Sequence, residues 1–419
     1  MPCHQTSRRQ FFFSEALPEG AHNLHTVYAP VEKLGVVLTD AEPASARPCA
    51  VSTFCSSLIR LDDGRLRLYY TAYPLGLSQA WIAVAESDDG LHWDRRPLGQ
   101  VQVAGSDTNR LYVQGLGDQG FLTQPQVLRL PDGRWRMYLW HHQTSGYRYV
   151  VAHSPDGLRW QVDNPPRYVV IGHYSAILAE ARLDGWAPTT ASLWQLKAGR
   201  TNDACYVYYN DQLGRYEYYA QWMVPAHPDR RVDVDNCPGS HRYIQRRLSA
   251  DGLAWSAPEL VIRRDARDPW DLQFYHLAVQ WHEDWMIGSL GHYRVEEGQQ
   301  TQDLELAFSR DGRRWERPVR GGFIPRAADV PGAHDPAGIY PPNAWIDQGQ
   351  TWLCLYGSTH LRHNQPVGTD PTQVPAIMAA RWRKQRFVGL SAGPVTGGFL
   401  SDVFYPQSPQ ITVDADVRG

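Results

Sequence analysis

Ser87-Asp-Asp-Gly-Leu-His-Trp93 recurs along the chain as Ser154-Pro-Asp-Gly-Leu-Arg-Trp160, Ser249-Ala-Asp-Gly-Leu-Ala-Trp255 and Ser309-Arg-Asp-Gly-Arg-Arg-Trp315. The shared pattern is S-x-D-G-x-x-W, and each copy follows an apolar, strand-like stretch: WIAVAE, YRYVVAH, YIQRRL and LELAF. Asp-Gly supplies a residue with positive φ for a tight turn, and the Trp is expected to begin the next strand. The Ser and Asp are of the type that satisfies local backbone donors, so these residues are read as architecture and not as chemistry.

A second element precedes each copy: an apolar strand, a turn, then an aromatic strand. It reads SSLIRLDDGRLRLYYTA, PQVLRLPDGRWRMYLW, CYVYYNDQLGRYEYYA and HLAVQWHEDWMIGSL. A fifth, NAWIDQGQTWLCLYGS, is followed by AIMAARWRKQRFVGL, where Arg-Lys-Gln stands in place of the Asp-Gly turn. Each unit therefore supplies about four antiparallel strands, and such units repeated around an axis are β-propeller blades. The expected fold is all-β, a five-bladed propeller over 51–392, with blades near 51–100, 120–165, 200–262, 270–320 and 340–392. Residues 1–50 are expected to close or brace it, and 393–419 to form a tail. The motif serines are 67, 95 and 60 residues apart, which places an insertion near 163–199, between blades two and three.

The 419 residues are 42% hydrophobic and 20% charged, with mean hydropathy −0.47, which excludes a disordered chain, a coiled coil and a helical membrane protein. A net charge of −3 argues against a broad nucleic-acid footprint. Phe11-Phe12-Phe13 is too short for a signal-peptide core, and Cys3, Cys49, Cys55, Cys205, Cys237 and Cys354 form no CxxC pair or zinc-like spacing. The expectation is a cytoplasmic protein with reduced thiols. The 16 Trp and 22 Tyr serve two uses, strand packing and sugar stacking, and the repeats assign most of them to packing.

With five units and S-x-D-G-x-x-W hairpins, residues 10–400 resemble the five-bladed propeller glycosidases of glycoside hydrolase families 43 and 32. Asp303-Leu-Glu-Leu-Ala-Phe-Ser-Arg-Asp-Gly, Trp315-Glu-Arg-Pro and Arg386-Phe-Val-Gly-Leu-Ser-Ala-Gly393 are similar to a bacterial family-32-like branch. The resemblance implies acidic residues near the starts of inner strands. This sequence has Thr53 and Gln124 at that place in blades one and two, then Asp203, with Asp271 and Asp335 somewhat upstream in blades four and five. The Asn-Asp-Pro-Asn-Gly motif of the invertases is missing, and Arg267-Asp268-Pro269 precedes blade four rather than blade two.

Glycoside hydrolysis needs one protonated and one ionised carboxyl group. Asp203, Asp271 and Asp335 are the candidates for acid, base or nucleophile, and modulator. Asp303 and Glu305 share one face of a strand by period-two alternation. His276, His292 and His334 are candidate partners for sugar hydroxyls, and Trp270, Tyr275 and Tyr340 are candidate stacking surfaces. No cofactor is expected, although a divalent metal in the central channel stays open. The expected partner is a small glycoside or oligosaccharide, with no nucleic acid or membrane partner. Three functional readings follow: a glycoside hydrolase, a glycoside phosphorylase on the same fold, and a carbohydrate-binding propeller without catalysis.

Overall fold

The computed structural model describes residues 9–41, 48–76, 79–117, 119–143, 146–170, 203–225, 240–295, 300–363, 365, 368, 373–401 and 412–415. Most of the insertion expected near 163–199, and much of the expected tail, lie outside the described residues. The described residues are strands, turns and loops, with no α-helix among them.

Five antiparallel units follow one another. Unit one holds strands Pro48–Arg60, Leu66–Pro74 and Trp81–Ser87. Unit two holds Leu122–Arg129, Trp135–Gln143, Gly146–Ser154 and Trp160–Val162, and unit three Tyr206–Asn210, Arg215–Pro225, Ser240–Ser249 and Glu259–Ile262. Unit four holds Leu272–His282, Trp285–Arg294 and Thr301–Ser309. Unit five has a divided inner strand, Gly338–Tyr340 and Ile346–Asp347, then Thr351–Thr359 and Ala376–Arg383. Its outer strand is Glu32–Leu38, which pairs antiparallel with Ala376–Arg383.

Second strands such as Leu66-Arg-Leu-Tyr-Tyr-Thr-Ala-Tyr-Pro74 are buried on both faces, because each unit is covered by a neighbour on either side. One apolar cluster joins units one and two through Tyr69, Ile82, Met137 and Trp160. Others join two to three (Trp140, Tyr149, Val207, Tyr218), three to four (Tyr219, Ile244, Leu277, Leu290) and four to five (Ile287, Phe308, Tyr356, Trp382). A further cluster joins five back to one through Leu353, Ile377, Val51 and Leu68. Phe13, from the N-terminal segment, stacks on Phe308 at 3.9 Å between ring centroids.

The repeated motif latches these units together. In unit two, Ser154 Oγ accepts Gly157 N–H at 2.9 Å, and Asp156 Oδ1 accepts the Leu158 and Arg159 N–H groups at 2.9 and 2.8 Å. Trp160 Nε1 donates to Gly157 O at 3.1 Å. The same Ser and Asp contacts recur at Ser249/Asp251 and Ser309/Asp311. The turn then meets the preceding unit: Tyr69 Oη donates to Gly157 O at 2.7 Å, Tyr138 Oη to Gly252 O at 2.8 Å, and Arg246 Nη1 to Asp311 O at 2.8 Å. The Trp opens the next strand only in unit two. In unit three that strand begins at Glu259, and in units one and four it shrinks to the single bridges Glu86–Asp94 and Phe308–Glu316.

Candidate active site

The inner strands of units one, two and four are each broken by a bulge, between Ser52 and Ser57, Thr123 and Gln126, and Phe274 and Leu277. In unit three Asp203 and Ala204 lie just before the inner strand, and in unit five the break follows Tyr340. Cys55, Gln124 and Ala204 adopt φ of 48°, 55° and 55°, left-handed backbone that non-glycine residues accept only when their surroundings enforce it. A bulge ends pairing and re-aims side chains, so residues distant in sequence are turned toward one place.

They meet there. The Phe54 ring lies 5.5 Å from Tyr275, 5.8 Å from His276 and 5.3 Å from Tyr340. Tyr206 Oη accepts Cys55 N–H at 3.2 Å and donates to Pro341 O at 2.6 Å, which ties units one, three and five together.

Asp203 is the carboxylate at this meeting point. Gln124 Nε2 donates to its Oδ2 at 3.2 Å and Gln221 Nε2 to its Oδ1 at 3.3 Å. Gln124 Oε1 in turn accepts Ala204 N–H at 3.1 Å, which fixes the amide's orientation. Burial outweighs these donors, the Arg242 charge and a Tyr275 hydrogen bond, and pushes the Asp203 carboxyl up to about 6. Arg242 is fully buried, donates to Gln273 Oε1 at 2.6 Å, and lies 5.3 and 5.1 Å from the Tyr275 and Tyr293 ring centroids.

The other two aspartates are held by different partners. Asp271 is buried against Arg294, whose Nε lies 2.9 and 3.0 Å from its two oxygens. Asp335 is buried against Lys33 Nζ at 2.6 Å and Tyr356 Oη at 3.1 Å. Each is charge-compensated by its own cation, Asp271 three residues before Phe274 and Asp335 five before Tyr340, where the strands break.

Tyr275 and Tyr340 join Asp203 in the centre, through Phe54 and through His363. The remaining expected residues lie elsewhere or are engaged otherwise. His276 is fully buried behind Phe54, and burial, outweighing a hydrogen bond with the Ser289 backbone, holds it neutral, down to about 3. Glu305 is fully buried. Its Oε2 lies 2.8 Å from His292 Nε2, and both of its oxygens bind Arg317; against the effect of burial, the contacts with His292 and Arg317 hold it below the usual carboxylate range. Arg317 also grips Asp268 with two contacts of 2.8 Å. Asp303 accepts Arg326 Nε at 2.6 Å, and His334 meets His360 edge-on at 5.4 Å. Trp270 is 49% exposed, as a stacking surface requires.

Among the described residues no cluster of three or more His, Cys, Asp or Glu is arranged to hold a metal ion. One cavity, of about 210 Å³, lies at the far ends of the inner strands of units three and four, lined by Tyr208, Asn210, Glu217, Trp281 and Asn343. A second, of about 230 Å³, lies where the N-terminal segment meets Phe399. Neither is lined by Asp203.

Gln221, Arg242 and His363 were not singled out from the sequence. Gln221 is a lone amide within the aromatic run RYEYYAQWMVP, a usable signal, whereas His363 sits in a loop with no periodicity to place it.

No protein-family model matches the sequence, and no curated protein matches it. Solved structures do. A glycoside hydrolase matches with 14% identity and TM-score 0.55, over 91% of this chain and 96% of its own. An N-acetylgalactosamine deacetylase from F. plautii, in complex with blood group B trisaccharide, matches with 14% identity and TM-score 0.53, over 87% of this chain and 97% of its own. A structure from the GH130 family of mannoside phosphorylases, which contains glycoside hydrolases that target β-1,2 mannosidic linkages in Candida mannan, matches with 12% identity and TM-score 0.50, over 88% of this chain and 96% of its own. At such identities the likeness concerns the fold: this chain has the all-β fold carried by propeller glycoside hydrolases.

Proposed function

We propose that the protein is a carbohydrate-active enzyme that cleaves a glycosidic bond, with Asp203 as the proton donor to the leaving oxygen. The observation that carries this reading is a half-buried carboxyl group at the meeting point of the inner strands, with its proton affinity raised to about 6. A general acid works best when its pKa lies near the working pH, and a carboxyl in its usual range would be unprotonated there. Gln124, Gln221 and the tyrosines supply donors and acceptors suited to sugar hydroxyls. The five units are taken as blades of a five-bladed propeller, with 51–392 as its body, residues 1–50 closing or bracing it and 393–419 as its tail. The Glu32–Leu38 pairing and the ring of five apolar interfaces support that arrangement. A small glycoside or oligosaccharide is the proposed partner, in a cytoplasmic, cofactor-free enzyme.

Phosphorolysis is the second reading, and one observation favours it: of the three aspartates, only Asp203 stands at the centre, with the Arg242 guanidinium beside it. A phosphorylase needs one acid, because phosphate itself is the nucleophile. Turnover of a panel of aryl glycosides and oligosaccharides, with and without inorganic phosphate, tests both readings. Asp203→Asn is expected to lose about 10²–10⁴-fold in rate. Binding without turnover by the unaltered protein across the panel would leave the non-catalytic reading instead.

A further inference from the structure

The cavity of about 210 Å³ is walled by three units. Pro341 and Pro342 have no N–H to donate, so the inner strand of unit five lapses after Tyr340 and resumes at Ile346. Asn343 lines the cavity from that gap, Tyr208, Asn210 and Glu217 from unit three, and Gln280 and Trp281 from unit four. The strand Tyr206–Asn210 separates it from Asp203, which precedes that strand.

Hydrogen bonding leaves this cavity with donors and few acceptors. Gln280 Oε1 accepts Trp345 N–H at 2.8 Å, and Asn343 Oδ1 accepts Leu58 N–H at 2.8 Å, which fixes the way each amide points. What remains of each is its NH2 group, and neither has a partner among the described residues. The Trp281 indole N–H is likewise unpaired among them, and none of the three is shut off from water. Tyr208 Oη is spent between Val279 N–H at 2.6 Å and Asn343 O at 3.4 Å, which pins its ring. Glu217 is buried, and its Oε1 accepts Arg246 Nη2 at 3.0 Å, Asn210 Nδ2 at 3.3 Å and Arg215 Nε at 3.4 Å. Tyr219 Oη donates to its Oε2 at 2.8 Å. Two cations against one carboxylate leave no net negative charge here.

A ligand suited to such a cavity has apolar faces to lie on aromatic rings and an edge of acceptors. A pyranose has C–H faces and an oxygen-bearing edge. Its hydroxyls both donate and accept, whereas a carbonyl or carboxylate oxygen only accepts. The volume is below the roughly 300–1,000 Å³ of pockets that hold drug-sized ligands, which suits one ring and not a chain of them.

We infer that this cavity is a second, non-catalytic carbohydrate site. It takes one pyranose bearing an N-acetyl or carboxylate group, with the ring against Trp281 and the carbonyl oxygen accepting from the Gln280 and Asn343 NH2 groups. The inference goes beyond the reading of Asp203 as the acid and does not depend on it. A site apart from the acid holds a glycan near the protein, and a tethered end reaches the acid at raised effective concentration.

The test is a titration of full-length protein, ¹⁵N-labelled in its tryptophans, with N-acetylglucosamine, glucuronate and glucose. The Trp281 indole peak, one of 16, is assigned by its loss in Trp281→Phe. It is expected to shift saturably with N-acetylglucosamine, glucuronate or both, with Kd on the order of millimolar, and about tenfold less tightly with glucose, the worth of one hydrogen bond. Gln280→Glu keeps an oxygen for Trp345 N–H and loses the NH2 group. It should weaken N-acetylglucosamine about tenfold and glucuronate by more, since like charges then oppose each other. Asp203→Asn should bind as the unaltered protein does. A Trp281 peak unmoved by all three sugars at about 50 mM overturns the site, as does glucose binding as tightly as the other two or an affinity unchanged in Gln280→Glu. Binding lost in Asp203→Asn would put the sugar at the acid and overturn it equally. Should Gln280→Glu fail to fold, the order of the three sugars on the unaltered protein still decides. Turnover retained in Asp203→Asn would overturn the reading of the acid and leave this site standing.

Discussion

Tyr69 of unit one is latched to Gly157 of unit two: its hydroxyl donates to Gly157 O at 2.7 Å, and a Cβ on that glycine would come within 2.8 Å of the same hydroxyl. Gly157 also has φ of +76°. Gly157→Ala therefore combines a left-handed alanine with a clash inside the interface, a loss of about 2–4 kcal/mol in denaturant unfolding. Gly64 provides the control. It has φ of +87° with nothing within 4 Å of its would-be Cβ, so Gly64→Ala should cost only about 1–2 kcal/mol. Equal losses would mean that the interface is not tight.

Activity should fall as the pH rises through about 6, because the acid form of Asp203 is the one that donates. The pH dependence of kcat/KM on a cleavable glycoside measures this limb. A limb in the ordinary carboxylate range would show that burial does not set the proton affinity of Asp203.

The same burial has a thermodynamic side. Asp203 binds its proton more tightly folded than unfolded, so its favourable contribution is fully present below the unfolded midpoint near 4 and is lost as pH rises through about 6. Asp203→Asn removes the penalty of the buried charge. It should stabilise the protein at pH 8 by about 1–2 kcal/mol, allowing for partial exposure to water, and by nothing near pH 4. Thermal unfolding at the two pH values makes the comparison.

Arg317 holds two buried carboxylates, Glu305 and Asp268. Arg317→Ala would leave both undercompensated, and a loss of about 3–5 kcal/mol is expected. Glu305 lies below the usual range, so its stabilisation is present above its unfolded midpoint and disappears as the solution is acidified through the folded one. Acid unfolding of Arg317→Ala should begin at higher pH than that of the unaltered protein.

What could be read beforehand divides along a physical line. The Ser–Asp–Gly–Trp turn is made by contacts within seven residues, so its geometry is written in consecutive letters. Asp203 was legible because it stands in the same place as Thr53 and Gln124, and the bulges turn those places toward one another. Asp271 and Asp335 lie only a few residues from that place. Small offsets matter at a bulge, and both are engaged by cations, Arg294 and Lys33, that local sequence does not reveal. Asp268, in the stretch Arg267-Asp268-Pro269, belongs to the buried network of Arg317 and Arg320. His363 was out of reach, since a loop residue acquires meaning only from what it touches.

The strand Glu32–Leu38 has a partner that is made late. Arg381 contacts Glu32 across 349 residues of chain, so on the ribosome the early strand waits for almost the whole polypeptide. At about 5–20 residues per second that wait is tens of seconds. Throughout it, Glu-Lys-Leu-Gly-Val-Val-Leu is an unpaired edge of the kind that recruits other chains. Loop-closure entropy grows only slowly with length, so the cost of this long-range pairing is more one of exposure time than of equilibrium stability. Premature termination before Ala376 would remove the partner strand altogether. The resulting chains are expected to aggregate through their first strands even where the central units fold.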